Sequence, residues 1–210
     1  MADTFSKELK MSDLNATLSE YDFIVVADTS GSMAEPVKAG STTTRWASMQ
    51  ESIRTLIRDV SAIDTDGISL VQLGGNISTW ENVNEADALT IFKDLAPRGG
   101  TPLAEALSAA FKLAGKSPKK DMVVVYTDGV PNDMDAVKAV ITNQANSQAA
   151  DDALTVLFVQ VGDDAQATKF LKGLDDNLKG AKHDIVDAKT VAEVDAFPTT
   201  AALILAAIND

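Results

Sequence analysis

Residues 21–32 read YDFIVVADTSGS and join an apolar segment to a loop of oxygen-bearing side chains. The first seven residues are mostly apolar and rich in β-branched side chains, which is typical of a strand in a parallel sheet covered by helices on both faces. The predicted strand ends at Asp28, and the hydroxyls of Ser30 and Ser32 follow at once. Side-chain oxygens in this spacing suit a small hard cation such as Mg²⁺, which prefers oxygen ligands in octahedral geometry.

Two later segments place further oxygens at the ends of predicted elements. Gly99-Gly100-Thr101-Pro102 opens a predicted helix, with proline at its first position, and Thr127-Asp128-Gly129 follows a predicted strand. If that strand lies beside the first one, their carboxyl ends meet at one edge of the sheet, and Asp28 and Asp128 lie close together. Two such carboxylates need a cation or a proton to offset their repulsion. The sequence therefore predicts a metal site formed by Asp28, Ser30, Ser32, Thr101 and Asp128.

The predicted ligand set combines two charged carboxylates with three neutral hydroxyls. Ser30 and Ser32 are two residues apart, so in an extended loop both hydroxyls point to the same side. Gly99 and Gly100 remove side-chain obstruction beside Thr101 and permit unusual backbone angles. Such a site leaves at least one octahedral position for water or an incoming oxygen, and an acidic side chain of another molecule would fill it well. We predict a site that accepts a ligand, and we expect that the protein is not an enzyme.

Predicted strands and helices alternate along the chain, which favours a parallel sheet with right-handed crossovers. The segment 79–83 is short and partly polar, which suits an edge strand, and a closing helix from Thr190 is predicted to be interrupted at Pro198. The other strands are predicted over about 68–73, 122–126, 154–161 and 184–186, and the other helices over about 45–63, 84–95, 102–114, 133–149 and 165–178.

The chain of 210 residues has a net charge of −13 and no cysteine. Its length suits one α/β domain, and the acidity argues against nucleic-acid binding, which requires Lys and Arg to neutralise phosphates. The absence of cysteine excludes disulfides and thiolate metal sites, and it fits a reducing compartment. Residues 1–20 contain no signal-peptide core, and the longest apolar run, Ala201–Ile208, is too short to span a bilayer. A cytoplasmic protein without membrane contact is expected.

Together these motifs resemble the metal-ion-dependent adhesion site of von Willebrand factor A-type domains. Thr44-Arg45-Trp46 also resembles stand-alone prokaryotic members, whereas the length of loop 34–44 is not shared by all relatives. The resemblance covers roughly residues 20–208, so that residues 21–210 are assigned to this domain and 1–20 to an N-terminal arm or short helix. The ligand positions of the family match, without substitution, Asp28, Ser30, Ser32, Thr101 and Asp128.

The resemblance implies both the architecture and the function. The fold is expected to be a Rossmann-like, doubly wound six-stranded sheet, mostly parallel with one short antiparallel edge strand and helices on both faces. The function is expected to be binding of a protein partner that presents Glu or Asp to a bound Mg²⁺, with Mn²⁺ or Ca²⁺ as alternatives. In the family the serines, and in some states the threonine, touch the ion directly, whereas the aspartates often act through water. Intracellular relatives often act as adaptors, in some cases beside AAA+ ATPases or in bacterial stress-response systems including tellurite resistance.

Two alternative functions remain open at this point. The ion could stabilise a structural subunit of a larger assembly, or it could serve a Mg²⁺-dependent phosphohydrolase. Enzymes that resemble haloacid dehalogenases need a second Asp two residues after Asp28, where this chain has Ser30. The segment around Gly74-Gly75 lacks the lysine of a P-loop, and no dinucleotide-binding fingerprint occurs. His183 is the only histidine, and its place before a short predicted strand favours a structural role.

Overall fold

A computed structural model describes residues 11–63 and 67–209 and contains a six-stranded sheet. The strands are β1 (Tyr21–Asp28), β2 (Ile68–Leu73), β3 (Thr79–Val83), β4 (Lys120–Thr127), β5 (Leu154–Gln160) and β6 (Val186–Lys189). Their order across the sheet is β3-β2-β1-β4-β5-β6. The edge strand β3 runs antiparallel to β2, and all other neighbours are parallel. The predicted Rossmann-like sheet with one short antiparallel edge strand is confirmed.

Helices connect the strands along the described part of the chain, except for β2 and β3, which a short loop joins. Helix α1 lies within the predicted arm or short helix over residues 1–20, of which residues 1–10 lie outside the described residues. Pro198 falls between α7 and α8, so the predicted closing helix is indeed interrupted. None of the helices that the structure describes is long and apolar enough to cross a membrane. The helices are α1 (Met11–Leu18), α2 (Arg45–Ser61), α3 (Glu85–Asp94), α4 (Leu103–Leu113), α5 (Met134–Ser147), α6 (Ala165–Asn177), α7 (Val191–Val194) and α8 (Thr200–Ile208).

The side chains of β1 alternate between two apolar cores. Phe23 and Val25 pack with residues of α2, α3 and α8 on one face of the sheet. Ile24 and Val26 pack with residues of α4, α5 and α6 on the other face. Because helices cover both faces, every position of the strand's apolar run is buried, and the run shows no alternation with polar residues. The two cores hold β1 rigidly at the centre of the sheet.

The start of α4 differs from the prediction that Pro102 occupies the first helical position. The helix begins at Leu103, and Pro102 precedes it with φ −75° and ψ 62°. These angles are those of an inverse γ-turn, in which the Leu103 N–H donates to the Thr101 carbonyl at 2.8 Å. The turn changes the direction of the chain directly after Thr101, so the loop stays at the edge of the sheet.

The last strand also differs from its predicted position, since β6 spans Val186–Lys189 instead of residues 184–186. Asp187 lies in the middle of this strand and is buried, and one of its oxygens accepts a hydrogen bond from the Lys189 ammonium at 2.6 Å. A charge in a buried strand breaks the apolar pattern on which the prediction depended. The ion pair within the strand makes that burial tolerable.

The direction of winding reverses between β1 and β4. From β1 the chain continues to β2 and β3 on one side, and it then crosses to β4, β5 and β6 on the other. In the β1–β4 register Ala27 lies opposite Tyr126, so the two strands end next to each other. In open α/β sheets the crevice outside the carboxyl ends of two such strands is the usual position of a ligand.

At the amino ends of the central strands, Asp121 of β4 is buried directly across from Asp22 of β1. Burial raises the pKa of Asp121 from 3.8 to about 6, although the Gly115 N–H, which donates to its Oδ2 at 2.9 Å, acts against this rise. The negative charge of Asp22 adds to the increase. The native protein therefore binds this proton more tightly than the unfolded chain does.

We expect Asp121→Asn to stabilise the protein by about 2 kcal/mol at pH 8 and to change its stability little at pH 4. Since the native pKa is the higher one, the free energy of unfolding falls as the pH rises from 3.8 to about 6, and the loss is complete and constant above that pH. Asparagine keeps an acceptor for the Gly115 N–H. Urea unfolding in EDTA at both pH values measures the effect, with the exposed Asp94→Asn as the control. Equal shifts in the two variants would contradict the prediction.

Candidate metal centre

Asp28 ends β1 as a fully buried carboxyl group whose two oxygens each accept a hydrogen bond from the protein. Its Oδ1 accepts from the Ser30 N–H at 2.7 Å, and its Oδ2 accepts from the Thr127 hydroxyl at 2.6 Å. Burial nevertheless raises the pKa of Asp28 to about 6, and the negative charge of nearby Asp128 contributes to the rise. A positive charge in this crevice would offset that cost.

Three oxygens lie in a row in front of the two strand ends. Ser30 Oγ and Ser32 Oγ are 3.2 Å apart, and Ser32 Oγ donates to Asp128 Oδ1 at 3.0 Å. Neighbouring ligands of an octahedral ion with bonds of about 2.1 Å are separated by about 3.0 Å. The row therefore matches one series of ligand positions around Mg²⁺, so the residues present fit a small divalent cation.

The loop that carries the two serines is not extended as the sequence analysis assumed. Gly31–Ala34 form a 3₁₀ turn, and Ser30 precedes it with extended backbone angles. The hydroxyls of Ser30 and Ser32 still meet, because the tight turn brings the second serine back toward the first. The predicted proximity is correct, but the predicted geometry behind it is wrong.

Thr101 reaches the same edge of the sheet from a third loop, where it is buried. Asn132 holds its backbone at both ends, since Asn132 Oδ1 accepts from the Thr101 N–H at 2.9 Å and the Asn132 N–H donates to the Thr101 carbonyl at 3.0 Å. A side chain at Gly100 would place its Cβ 2.8 Å from Asn132 Oδ1. Gly99 has φ +78°, and its carbonyl accepts from the Gly31 N–H at 3.0 Å. The two glycines thus allow close contact with both neighbouring loops, as predicted.

Asp128 differs from Asp28 because its second oxygen carries an ion pair. Arg45 Nη1 donates to Asp128 Oδ2 at 2.7 Å, while Oδ1 faces Ser32. The sequence predicts no contact for Arg45, which belongs to the Thr44-Arg45-Trp46 segment that resembles prokaryotic relatives. Thr127 and Asn132 were also missed as supports of the site. For Thr127 the signal was available, because it directly follows the predicted strand 122–126, whose carboxyl end is predicted to meet that of the first strand at Asp28.

The hydroxyls are essential to the candidate site. Within residues 11–63 and 67–209 no group of three or more His, Cys, Asp or Glu side chains is arranged to hold a metal ion. His183 Nδ1 lies 3.3 Å from Asp151, beside the amino end of β5. The predicted metal site lies at the opposite, carboxyl ends of the strands. The predicted crevice instead combines carboxylates with neutral oxygens at the carboxyl ends of β1 and β4.

Comparisons with known proteins identify the family of the chain. A model of the von Willebrand factor type A domain matches residues 23–131. The chain belongs to this family. Residues 23–131 include all the predicted ligands, from Asp28 to Asp128, so the domain assignment and the candidate site coincide in the sequence. Among curated protein sequences, none matches the chain.

Solved structures share the fold of this family member at low sequence identity. The SpRpn10 VWA domain aligns with a TM-score of 0.59 and 11% identity, over 88% of this chain and 93% of that one. Manganese-loaded Plasmodium vivax TRAP aligns with a TM-score of 0.55 and 18% identity, over 84% and 71%. The pilus adhesin SpaC from Lactobacillus rhamnosus GG aligns with 0.54 and 14%, over 90% of this chain but 29% of SpaC. These likenesses support the fold alone.

We expect Thr127→Val to lower the free energy of unfolding by about 2 kcal/mol in EDTA. The change removes the O–H that donates to Asp28 Oδ2 and leaves a buried carboxylate oxygen without that donor. Thr155→Val on the neighbouring β5 is the matched control, because Thr155 is also a buried strand threonine. Urea unfolding at pH 8 measures both variants. An equal loss in the two would show that the hydrogen bond to Asp28 carries no special weight.

Proposed function

We propose that this protein is a divalent-metal-dependent protein-binding domain of the adaptor or adhesion type. It binds Mg²⁺ in an intact metal-ion-dependent adhesion site and engages a carboxylate of a protein partner through the ion. The observation that carries this proposal is the row of oxygens from Ser30, Ser32 and Asp128 at octahedral spacing. The row lies where two buried carboxylates meet at the ends of neighbouring strands.

Each residue of the site has a distinct role in this proposal. The hydroxyls of Ser30, Ser32 and Thr101 hold the ion directly, because they are neutral oxygens on the loop after β1 and the loop before α4. Asp28 contributes negative charge through water, since both of its oxygens already accept hydrogen bonds from the protein. The ion, when bound, supplies a positive charge with an open coordination position. Mn²⁺ and Ca²⁺ remain alternatives to Mg²⁺, and manganese is present in the TRAP protein of similar fold.

We also propose that the site binds without catalysing a reaction. The single histidine, His183, lies at the amino ends of the strands, away from the candidate site. Ser30 occupies the position where a dehalogenase-like hydrolase needs its second aspartate. Turnover of a phosphoester by the purified, metal-loaded protein would favour the phosphohydrolase alternative. A cytoplasmic location, association with an AAA+ ATPase and a role in bacterial stress response stay predictions.

We expect Ser32→Ala to weaken Mg²⁺ and Mn²⁺ binding by at least about tenfold, because it removes the central oxygen of the row. Ser41→Ala, an exchange of the same kind in the same loop, should bind metal like the wild type. Titration calorimetry in metal-free buffer measures the affinities. If the wild type binds neither ion, or if both variants bind equally, the proposed site is wrong.

The charge of the protein restricts the kind of partner. The net charge of −13 repels a broadly acidic surface at long range, whereas the bond between an ion and one carboxylate acts only at short range. The partner should therefore present a single Glu or Asp from a neutral or basic surface. The same argument disfavours nucleic acids as partners, because their phosphates extend along the whole ligand.

We expect the protein to capture its partner from a lysate in Mg²⁺ and to release it in EDTA. Ser32→Ala should lose the partner as EDTA does, and Ser41→Ala should retain it. Exchanging the partner's acidic surface residues for their amides, one at a time, should identify one whose loss abolishes capture. Capture at full strength in EDTA would show that the metal is not the contact.

A further inference from the structure

The two carboxylate oxygens of Asp128 have different partners, because one faces the proposed metal site and the other pairs with Arg45. Oδ1 accepts from Ser32, which belongs to the proposed ligand row, and Oδ2 accepts from Arg45 Nη1 at 2.7 Å. The carboxyl group of Asp128 is completely buried, and the Arg45 side chain is only 13% exposed. Because the two contacts use different oxygens, a cation in front of Ser32 does not need to displace the guanidinium.

Several contacts hold Arg45 in this position. Its backbone N–H donates to the Glu35 carbonyl at 2.8 Å, and its Nη1 also lies 3.3 Å from the Glu35 carboxylate. Gly162 faces the other side of the guanidinium with φ +104°, and a Cβ there would come within 2.8 Å of Arg45 Nε. Arg45 Nε is buried and has no hydrogen-bond partner among the described residues. The guanidinium therefore occupies a closely fitted space rather than a solvent-exposed position.

Arg45 changes the charge of the candidate site. Among the ion pairs of the described residues, Asp28 has none and Asp128 has only the one with Arg45. A divalent ion and the two carboxylates sum to zero charge, and the guanidinium adds one positive charge. Glu35 opposes it weakly, because that side chain is 63% exposed and water screens its charge.

We propose that Arg45 is a permanent counter-charge of Asp128 that competes electrostatically with the bound metal ion. In the metal-free protein it stabilises the buried Asp128 carboxylate. In the metal-bound protein it leaves a net positive charge at the ion. This charge lowers the affinity of the site for the metal and raises the affinity of the bound ion for the partner's carboxylate. This inference rests on the proposed function and adds a residue that sets the charge of the site through its ion pair with Asp128.

Titration calorimetry with Mg²⁺ alone tests the first part of the inference. Arg45→Gln should bind Mg²⁺ at least about fivefold more tightly than the wild type, because a competing positive charge is lost. Arg45→Lys keeps the charge and should bind nearly as the wild type does. Arg54→Gln removes an arginine from the same helix, where it pairs with Glu51 and Glu85, and should leave the affinity unchanged.

Thermal unfolding distinguishes a charge effect of Arg45 from a role in which Arg45 only orients Asp128. By linkage, the melting temperature of Arg45→Gln should fall more in EDTA than in saturating Mg²⁺, because the ion replaces the lost charge. If Arg45→Gln does not fold, the exposed Glu35→Gln tests the same charge effect in the opposite direction. It frees Arg45 from its second carboxylate and should weaken Mg²⁺ binding about twofold.

Acetate serves as a probe of the carboxylate affinity of the bound ion. In Mn²⁺-loaded protein, acetate displaces water from the ion and lowers the relaxation rate of bulk water protons. The acetate concentration that produces half of this decrease should be severalfold higher for Arg45→Gln than for the wild type or Arg54→Gln. The reason is that the variant's site has a lower net positive charge and attracts acetate less strongly. Unchanged acetate affinity in the variant would overturn the second part of the inference.

The outcomes separate this inference from the proposed function. If the wild type binds no divalent ion, the proposed function is wrong and the inference with it. If the wild type binds Mg²⁺ but Arg45→Gln binds it equally or more weakly, Arg45 is not a competing charge, and the proposed function stands. Tighter binding of Mg²⁺ by Arg45→Gln alone among the arginine variants supports the inference.

Discussion

The structure around the site depends on the burial of two negative charges at the ends of neighbouring strands. Asp28 and Asp128 lie where β1 and β4 end, and water does not reach either carboxylate. An isolated carboxylate in such a position is costly, so each oxygen must find a donor or a cation. Thr127 and Arg45 supply two of these contacts. The same deficit of positive charge that requires these contacts makes the crevice attractive to a divalent ion.

The packed sheet brings loops from distant parts of the chain together at defined distances. Two apolar cores fix β1 from both faces, and the loop after β1 contacts the loop before α4 through the Gly31 N–H and the Gly99 carbonyl. Asn132 then joins that second loop to the loop after β4. Loops positioned by such a scaffold can hold oxygens at defined separations, which a metal ion requires.

The charges act at different distances in this protein. The acidic residues behind the net charge of −13 are distributed along the whole sequence, whereas in the proposed metal-bound protein the ion and Arg45 concentrate positive charge at one point. In that proposal an acidic partner meets repulsion at long range and attraction only when one carboxylate reaches the ion, which favours selectivity over a high association rate. The same fold also occurs as part of a much longer chain, since the alignment covers only 29% of SpaC. The partner must be found from the chemistry of the site, because the fold does not define it.

The sequence by itself determined the features that depend on residues near one another in the chain. The apolar run of β1, the helix predicted over about 84–95 and the five oxygen-bearing positions follow from local patterns. Only the tertiary structure showed that Arg45 reaches Asp128 across 83 residues and that Thr127 reaches Asp28 across 99. Such contacts depend on strand order and loop geometry, which local periodicity does not encode. The burial of Asp187 was likewise decided by the packing of β6 against β5 and α6, which the residues beside it in the chain do not encode.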